Sequence, residues 1–253
     1  MIRALLISIL SLAMVACVTT PVGDNPVAEA NDQEAAKLNL DMGVKYYSQG
    51  NMQASREKLE KALEQDPDLA DARRMLGIVY QAMGDMKEAE AEYKKAVNLS
   101  PRDPDTLNDY AGFLCFEKRD VDKALEYFDK GLRIPLNENR VMLYRNAARC
   151  ARGLYPKRAE AYLRTALSAE PENAQLMIEI ADLAYSEEQY LQARIFLERA
   201  MQMSEPTPTA LFLLSRVESQ LGNVGKANEY RQQLLDSFPL SQEALAIQTS
   251  TLN

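Results

Sequence analysis

Three cysteines and no histidine bound the chemistry open to this 253-residue chain. Without histidine the protein lacks the commonest general base at neutral pH and the commonest transition-metal ligand. The sequence carries no G-x-S-x-G elbow, no phosphate-binding P-loop, no dinucleotide fingerprint and no paired-cysteine zinc spacing. Its carboxylates, Glu88, Glu90 and Glu92 among them, read as solvated helix faces and not as a catalytic pair. A net charge of −8 repels phosphate backbones and anionic lipid. The expectation is a non-enzymatic protein with no cofactor, no metal, no nucleic-acid partner and no small-molecule substrate. Two of the cysteines, Cys115 and Cys150, are 35 residues apart, and that interval gains meaning from the elements around them.

Small residues recur at Ser55, Ala89, Ala124, Ala159, Ala193 and Ala227, at intervals of 34, 35, 35, 34 and 34, each followed about a dozen positions later by proline. A period of roughly 34 residues is that of a helix-turn-helix solenoid of the tetratricopeptide kind. The second unit is the cleanest: Leu76-Gly77, Tyr80, Gly84-Asp85, Ala89, Tyr93, Ala96 and Pro101. Gly77 and Ala89 are small so that the two helices of the unit approach closely, while Leu76, Tyr80 and Tyr93 fill the space between units. Gly84 permits the turn and Pro101 stops the second helix. The predicted fold is all-α, a right-handed solenoid of about six tetratricopeptide repeats over residues 33–239. Residues 240–253 form a cap or tail, with a short helix from Ser241 to Ile247 and Leu245 covering the last repeat.

On this frame Cys115 and Cys150 fall almost one repeat apart, in the first helices of the third and fourth units. Residues so spaced lie side by side on neighbouring helices, and Ala111, Gly112, Ala147 and Ala148 allow those helices to come close. The spacing admits a disulfide, two buried reduced thiols, or redox or metal chemistry.

The N-terminus is a second kind of signal. Arg3 precedes an apolar run from Ala4 to Leu12, and Met14-Val15-Ala16 leads into Cys17. Residues 1–16 therefore read as a signal peptide, and Cys17 makes it look like a bacterial lipoprotein signal with cleavage before the acylated cysteine. The apolar run falls short of the about 20 residues a membrane span needs. Val18 after the cysteine resembles an outer-membrane address, so the expected location is the periplasmic face of the outer membrane, anchored in its inner leaflet by the N-terminal lipid. Residues 17–32, with Pro21, Gly23 and Pro26, read as the lipidated cysteine and a flexible tether.

In such a solenoid the first helix of each unit lines the concave surface. Its outward positions in the first unit include Lys37, Leu40, Val44 and Tyr47, and in the second Arg74, Ile78 and Gln81. Leu40, Val44 and Tyr47 have no repeat-packing reason to be apolar, which makes this set a candidate partner-binding groove with a basic rim. A competing reading has the same three cover the end of the solenoid. Phe116, Tyr185, Phe212 and Arg216 continue the surface. Tyr46, Tyr80 and Tyr93 are assigned to the core.

Several stretches go beyond the generic repeat: Leu107-Asn108-Asp109-Tyr110-Ala111-Gly112-Phe113-Leu114-Cys115, Asn146-Ala147-Ala148-Arg149-Cys150, Tyr190-Leu191-Gln192-Ala193-Arg194 and Leu197-Glu198-Arg199. With the signal and the six-repeat layout, they resemble the type IV pilus biogenesis and stability lipoproteins, the tetratricopeptide pilotins. Where that family often has tryptophan near Gly112, this chain has Phe113. The resemblance favours the disulfide between Cys115 and Cys150. It further implies a lipoprotein adaptor that binds the type IV pilus secretin subunit and promotes its targeting to the outer membrane and its multimerisation. The alternative is a tetratricopeptide scaffold lipoprotein of another envelope assembly machine.

Overall fold

The computed structural model describes residues 26–135 and 137–250. The signal peptide, Cys17 and the start of the tether lie outside the described residues. Those described form thirteen helices and no strand: α1 Pro26–Ser48, α2 Met52–Gln65, α3 Ala70–Met83, α4 Met86–Leu99, α5 Pro104–Phe116, α6 Val121–Leu132, α7 Arg140–Ala151, α8 Pro156–Ala169, α9 Ala174–Ser186, α10 Tyr190–Met203, α11 Pro208–Gln220, α12 Val224–Ser237 and α13 Gln242–Ser250. Each odd helix through α11 pairs with the even helix that follows, giving six hairpins. Odd helices also pack on odd helices of the next unit (α1 on α3, α3 on α5, α5 on α7, α9 on α11), whereas the even ones do not pack on one another in this way. A stack that closes along one member of every pair is curved, with the odd helices on the inside.

The helix α1 begins earlier than the tether boundary at residue 32. Pro26 is pre-set for a helix start, and Ala28, Glu29 and Ala30 behind it are good helix formers, so the first turns extend from the repeat.

The repeating small residues act as the period implies. Ser55, Ala89, Ala124, Ala159, Ala193 and Ala227 are all buried at the crossing of their hairpins. The Ser55 hydroxyl donates to the Gly43 carbonyl at 2.7 Å, so even the one polar member is satisfied. At Gly77 a Cβ would stand 2.9 Å from the Tyr93 ring, a contact that only glycine avoids. Tyr93 then reaches into the next unit, its ring 5.3 Å from that of Phe113 and 6.1 Å from that of Tyr110. Side-chain caps from Asn51, Asp103, Asp120, Asn173 and Thr207 start α2, α5, α6, α9 and α11 by accepting from the backbone N–H three residues on. Gly84 closes its hairpin at φ 87°, and Arg119 and Glu188 hold the corresponding left-handed turns of the third and fifth units at φ 59°.

One apolar core runs from the second unit to the sixth. Its largest fully buried side chains include Tyr93, Tyr110, Phe113, Phe128, Leu143, Met177 and Leu197. Smaller clusters close the ends, Leu59 with Met75, Leu76 and Val79 at one and Leu211 with Leu234, Ala244 and Ile247 at the other. The C-terminal helix caps the solenoid, but not through Leu245, which is 47% exposed. Ala244 and Ile247 do the covering, because residues three apart share a helix face and Leu245 lies about 100° round from Ala244. Glu92 also departs from the expectation of a solvated acidic face. It is buried, with the Arg73 guanidinium at 2.9 Å and the Lys95 ammonium at 2.7 Å, while Glu88 is exposed as expected.

Candidate protein-binding groove

The inner surface of the first four units encloses a groove of about 610 Å³. Tyr47 on α1, Ile78 and Gln81 on α3, Phe113 and Phe116 on α5, and Asn146 and Arg149 on α7 line it. Their register follows from the repeat: positions that face inward on one odd helix recur about a unit later on the next. Three residues chosen from the sequence, Tyr47, Ile78 and Gln81, meet here. Tyr47 and Ile78 are half-buried and offer apolar wall. Gln81 bridges, accepting from the Tyr93 hydroxyl at 2.9 Å and donating to Glu117 at 3.1 Å. Tyr93 is thus a core residue whose hydroxyl also meets the groove.

The other four candidates stand elsewhere. Leu40 is half-buried and packs on the cluster around Leu59, Met75, Leu76 and Val79, where it serves the core between the first and second units. Lys37 and Val44 are exposed on α1 outside the groove lining. Arg74 is no free rim cation. Its guanidinium meets Asp109 at 2.9 Å and Asp71 at 3.5 Å. Burial pushes the Asp109 carboxyl above its ordinary range, and the Arg74 pairing opposes that rise.

Sequence reasoning missed the groove floor, which is a hydrogen-bonded row. Arg149 donates to Asn146 at 3.4 Å, Asn146 to Asn108 at 2.9 Å, and Asn108 to Asp109 at 3.1 Å. Arg74 completes the row from the other side. The signal was present in the sequence, since Asn108 and Arg149 occupy inward repeat positions, but a polar side chain there reads equally well as solvated surface. Above the floor Arg149 stacks over the Phe116 ring, with 4.7 Å between the guanidinium carbon and the ring centroid. The later candidates also gather: Arg216 lies 4.6 Å from the Tyr185 ring centroid and 5.6 Å from that of Phe212.

Cys115 and Cys150 sit at the step between α5 and α7 with Cα atoms 5.9 Å apart and their sulfurs at bonding distance. The next step differs. Between α7 and α9 lies a cavity of about 380 Å³, lined by Met142, Arg149, Leu163 and Leu183 among others. Two ion pairs span it, Arg145 with Glu179 and Arg152 with Asp182. Among the described residues the arrangement offers no nucleophile paired with a base. It offers apolar wall, side-chain amides and guanidinium groups, the means of holding another polypeptide.

A curved stack of helical hairpins with such an inner groove defines a tetratricopeptide-repeat protein. Tetratricopeptide-repeat family models match residues 46–108 and 156–208. The type IV pilus assembly protein PilF of Pseudomonas aeruginosa is 29% identical over 245 residues, 96% of each chain. A solved structure of Pseudomonas aeruginosa PilF superposes with a TM-score of 0.71 at 28% identity, covering 87% of this chain and 99% of that one. PilW, described as a widely conserved type IV pilus biogenesis factor, has the same fold, with a TM-score of 0.75 at 24% identity over 84% of this chain and 97% of that one. An uncharacterized Haemophilus influenzae protein is 30% identical over 121 residues, 48% of this chain and 67% of that one. The chain carries tetratricopeptide-repeat matches in both halves, has the fold of a tetratricopeptide-repeat solenoid and is related to the type IV pilus assembly protein PilF.

Proposed function

We propose that this protein is a non-enzymatic adaptor of type IV pilus assembly, a pilotin anchored through Cys17 to the inner leaflet of the outer membrane, which binds the secretin subunit and promotes its targeting and multimerisation. The observation that carries the reading is the end-to-end relationship to a type IV pilus assembly protein, 96% of each chain, together with an inner groove suited to a polypeptide. The lipoprotein signal at residues 1–17 supports the envelope location. The mechanism is confinement: secretin subunits held to one membrane surface meet at a higher effective concentration than subunits diluted through the periplasm. The groove supplies the grip and the lipid supplies the destination. The proximity of Cys115 and Cys150 supports a disulfide that fixes the α5–α7 step.

The test is secretin multimer level and location in a deletion strain complemented with the wild type, with Cys17→Ser or with the groove variant Ile78→Gln. Multimers lost in the deletion, restored by the wild type and mislocalised with Cys17→Ser are the expected result. Normal multimers in the deletion strain would overturn the secretin role and leave a scaffold of another envelope machine. Circular dichroism of Ile78→Gln separates loss of grip from loss of fold.

A further inference from the structure

We infer that the inner groove selects an acidic, apolar-anchored extended segment of its protein partner, and that Arg149 is the residue that receives the partner's carboxylate. This rests on the reading that the groove holds a polypeptide, and it names the chemistry of what is held. Three guanidiniums, Arg145, Arg149 and Arg152, project from one face of α7. The facing helix α9 supplies two carboxylates, Glu179 to Arg145 and Asp182 to Arg152. The middle cation has none. Among the described residues no carboxylate lies within ion-pairing distance of Arg149, and its hydrogen bond to Asn146 is long at 3.4 Å. It is exposed, yet it lies over the Phe116 ring, 4.7 Å from the centroid. A stacked arginine is ordered before it binds, and its planar fork suits a carboxylate.

The surroundings complete a binding surface. Arg149 borders both the 610 Å³ groove and the 380 Å³ cavity, so it stands where a segment lying along the inner surface must pass. On the floor, Asn108 and Asn146 each keep a free amide hydrogen and an unused acceptor lone pair beyond the row they form, which suits peptide backbone groups. Ile78, Phe116 and Tyr47 give an apolar side chain somewhere to rest. Glu117 also lines the groove, accepting from Gln81 at 3.1 Å, so within this lining an acidic side chain is attracted at Arg149 and repelled at Glu117, and the pair fixes the position of the segment. Arg216, laid on Tyr185 and Phe212 two units later and likewise without a carboxylate partner among the described residues, repeats the device further along the same surface.

The test uses the purified full chain and three fluorescein-labelled synthetic peptides of equal length in which leucine or phenylalanine alternates with aspartate, asparagine or lysine. Fluorescence anisotropy should give the aspartate peptide about tenfold tighter binding than its asparagine counterpart, with the lysine peptide weakest. Arg149→Gln should remove that preference without weakening the asparagine peptide, and Arg149→Lys should keep part of it. Equal binding of aspartate and asparagine peptides to the wild type, or an unchanged ratio in Arg149→Gln, would overturn the inference. So would a stable dimer in sedimentation that excludes the peptides until it dissociates, because the groove's occupant would then be a second copy. Secretin multimers in the deletion strain are an independent readout. Normal multimers with intact acid preference remove the secretin and keep the groove chemistry, whereas lost multimers with no acid preference remove this inference alone.

Discussion

The step from α5 to α7 and the step from α7 to α9 connect the same kinds of helix at nearly the same sequence interval, yet they are built differently. At the first, Ala111, Cys115, Ala147 and Cys150 are buried where the helices pack directly, and Asn146 reaches Asn108 across the interface. At the second, Arg145 and Arg152 extend from α7 to Glu179 and Asp182 over a cavity. The period fixes which residues face one another, and side-chain size then decides how near the helices come. A close step makes a firm groove floor, and an open one leaves room and an unpaired arginine at the junction.

The largest effect that would test this contrast is core truncation on either side. Phe113→Ala should cost about 3–5 kcal/mol, because a fully buried ring that packs on Tyr93 of the preceding unit leaves a cavity in the core behind α5. Met142→Ala, at the 42% exposed edge of the open one, should cost under about 1 kcal/mol. Urea unfolding read by circular dichroism measures both, and equal costs would erase the distinction between the packed core at α5 and the cavity edge at α7.

Next in size is the cysteine pair. Replacing Cys115 and Cys150 together with alanine should lower stability by about 2–4 kcal/mol if they are bridged, from loop closure across a sequence separation of 35. Reductant should then destabilise the wild type and not the double variant. Indifference of the wild type to reductant would mean reduced thiols.

The smallest effect belongs to the open step. Arg145 and Glu179 have side chains 41% and 26% exposed, so a double-mutant cycle with Arg145→Met and Glu179→Gln should give a coupling of about 1 kcal/mol or less that shrinks with added salt. A coupling that is large and insensitive to salt would make α7–α9 a rigid joint like its neighbour.

How much of this was legible beforehand depends on the kind of residue. Alanine and glycine at a fixed period carry one meaning, since only a close helix crossing demands them, and Ala89, Ala124 and Gly77 are where that meaning puts them. Apolar residues at inward positions carry two. Leu40 and Ile78 both pack on the core between the first two units, yet Ile78 also lines the groove and Leu40 does not, and repeat position alone does not separate those outcomes. Charged residues are the least legible. Arg74 and Arg149 hold comparable inward positions, but Asp109 neutralises the first and no carboxylate among the described residues neutralises the second, a difference set by neighbours on other helices.

By itself the sequence determined the all-helical repeat architecture, the facing of Cys115 and Cys150, and the absence of histidine chemistry, because these follow from periodicity and residue inventory, which are properties of the chain alone. Only the tertiary structure decided that the groove centres on Ile78, Phe116 and Arg149, that Ala244 and Ile247 cap the end, and that the α7–α9 step stays open. Those depend on which side chains from different helices compete for the same space and the same charge, and that competition exists only once the helices are packed.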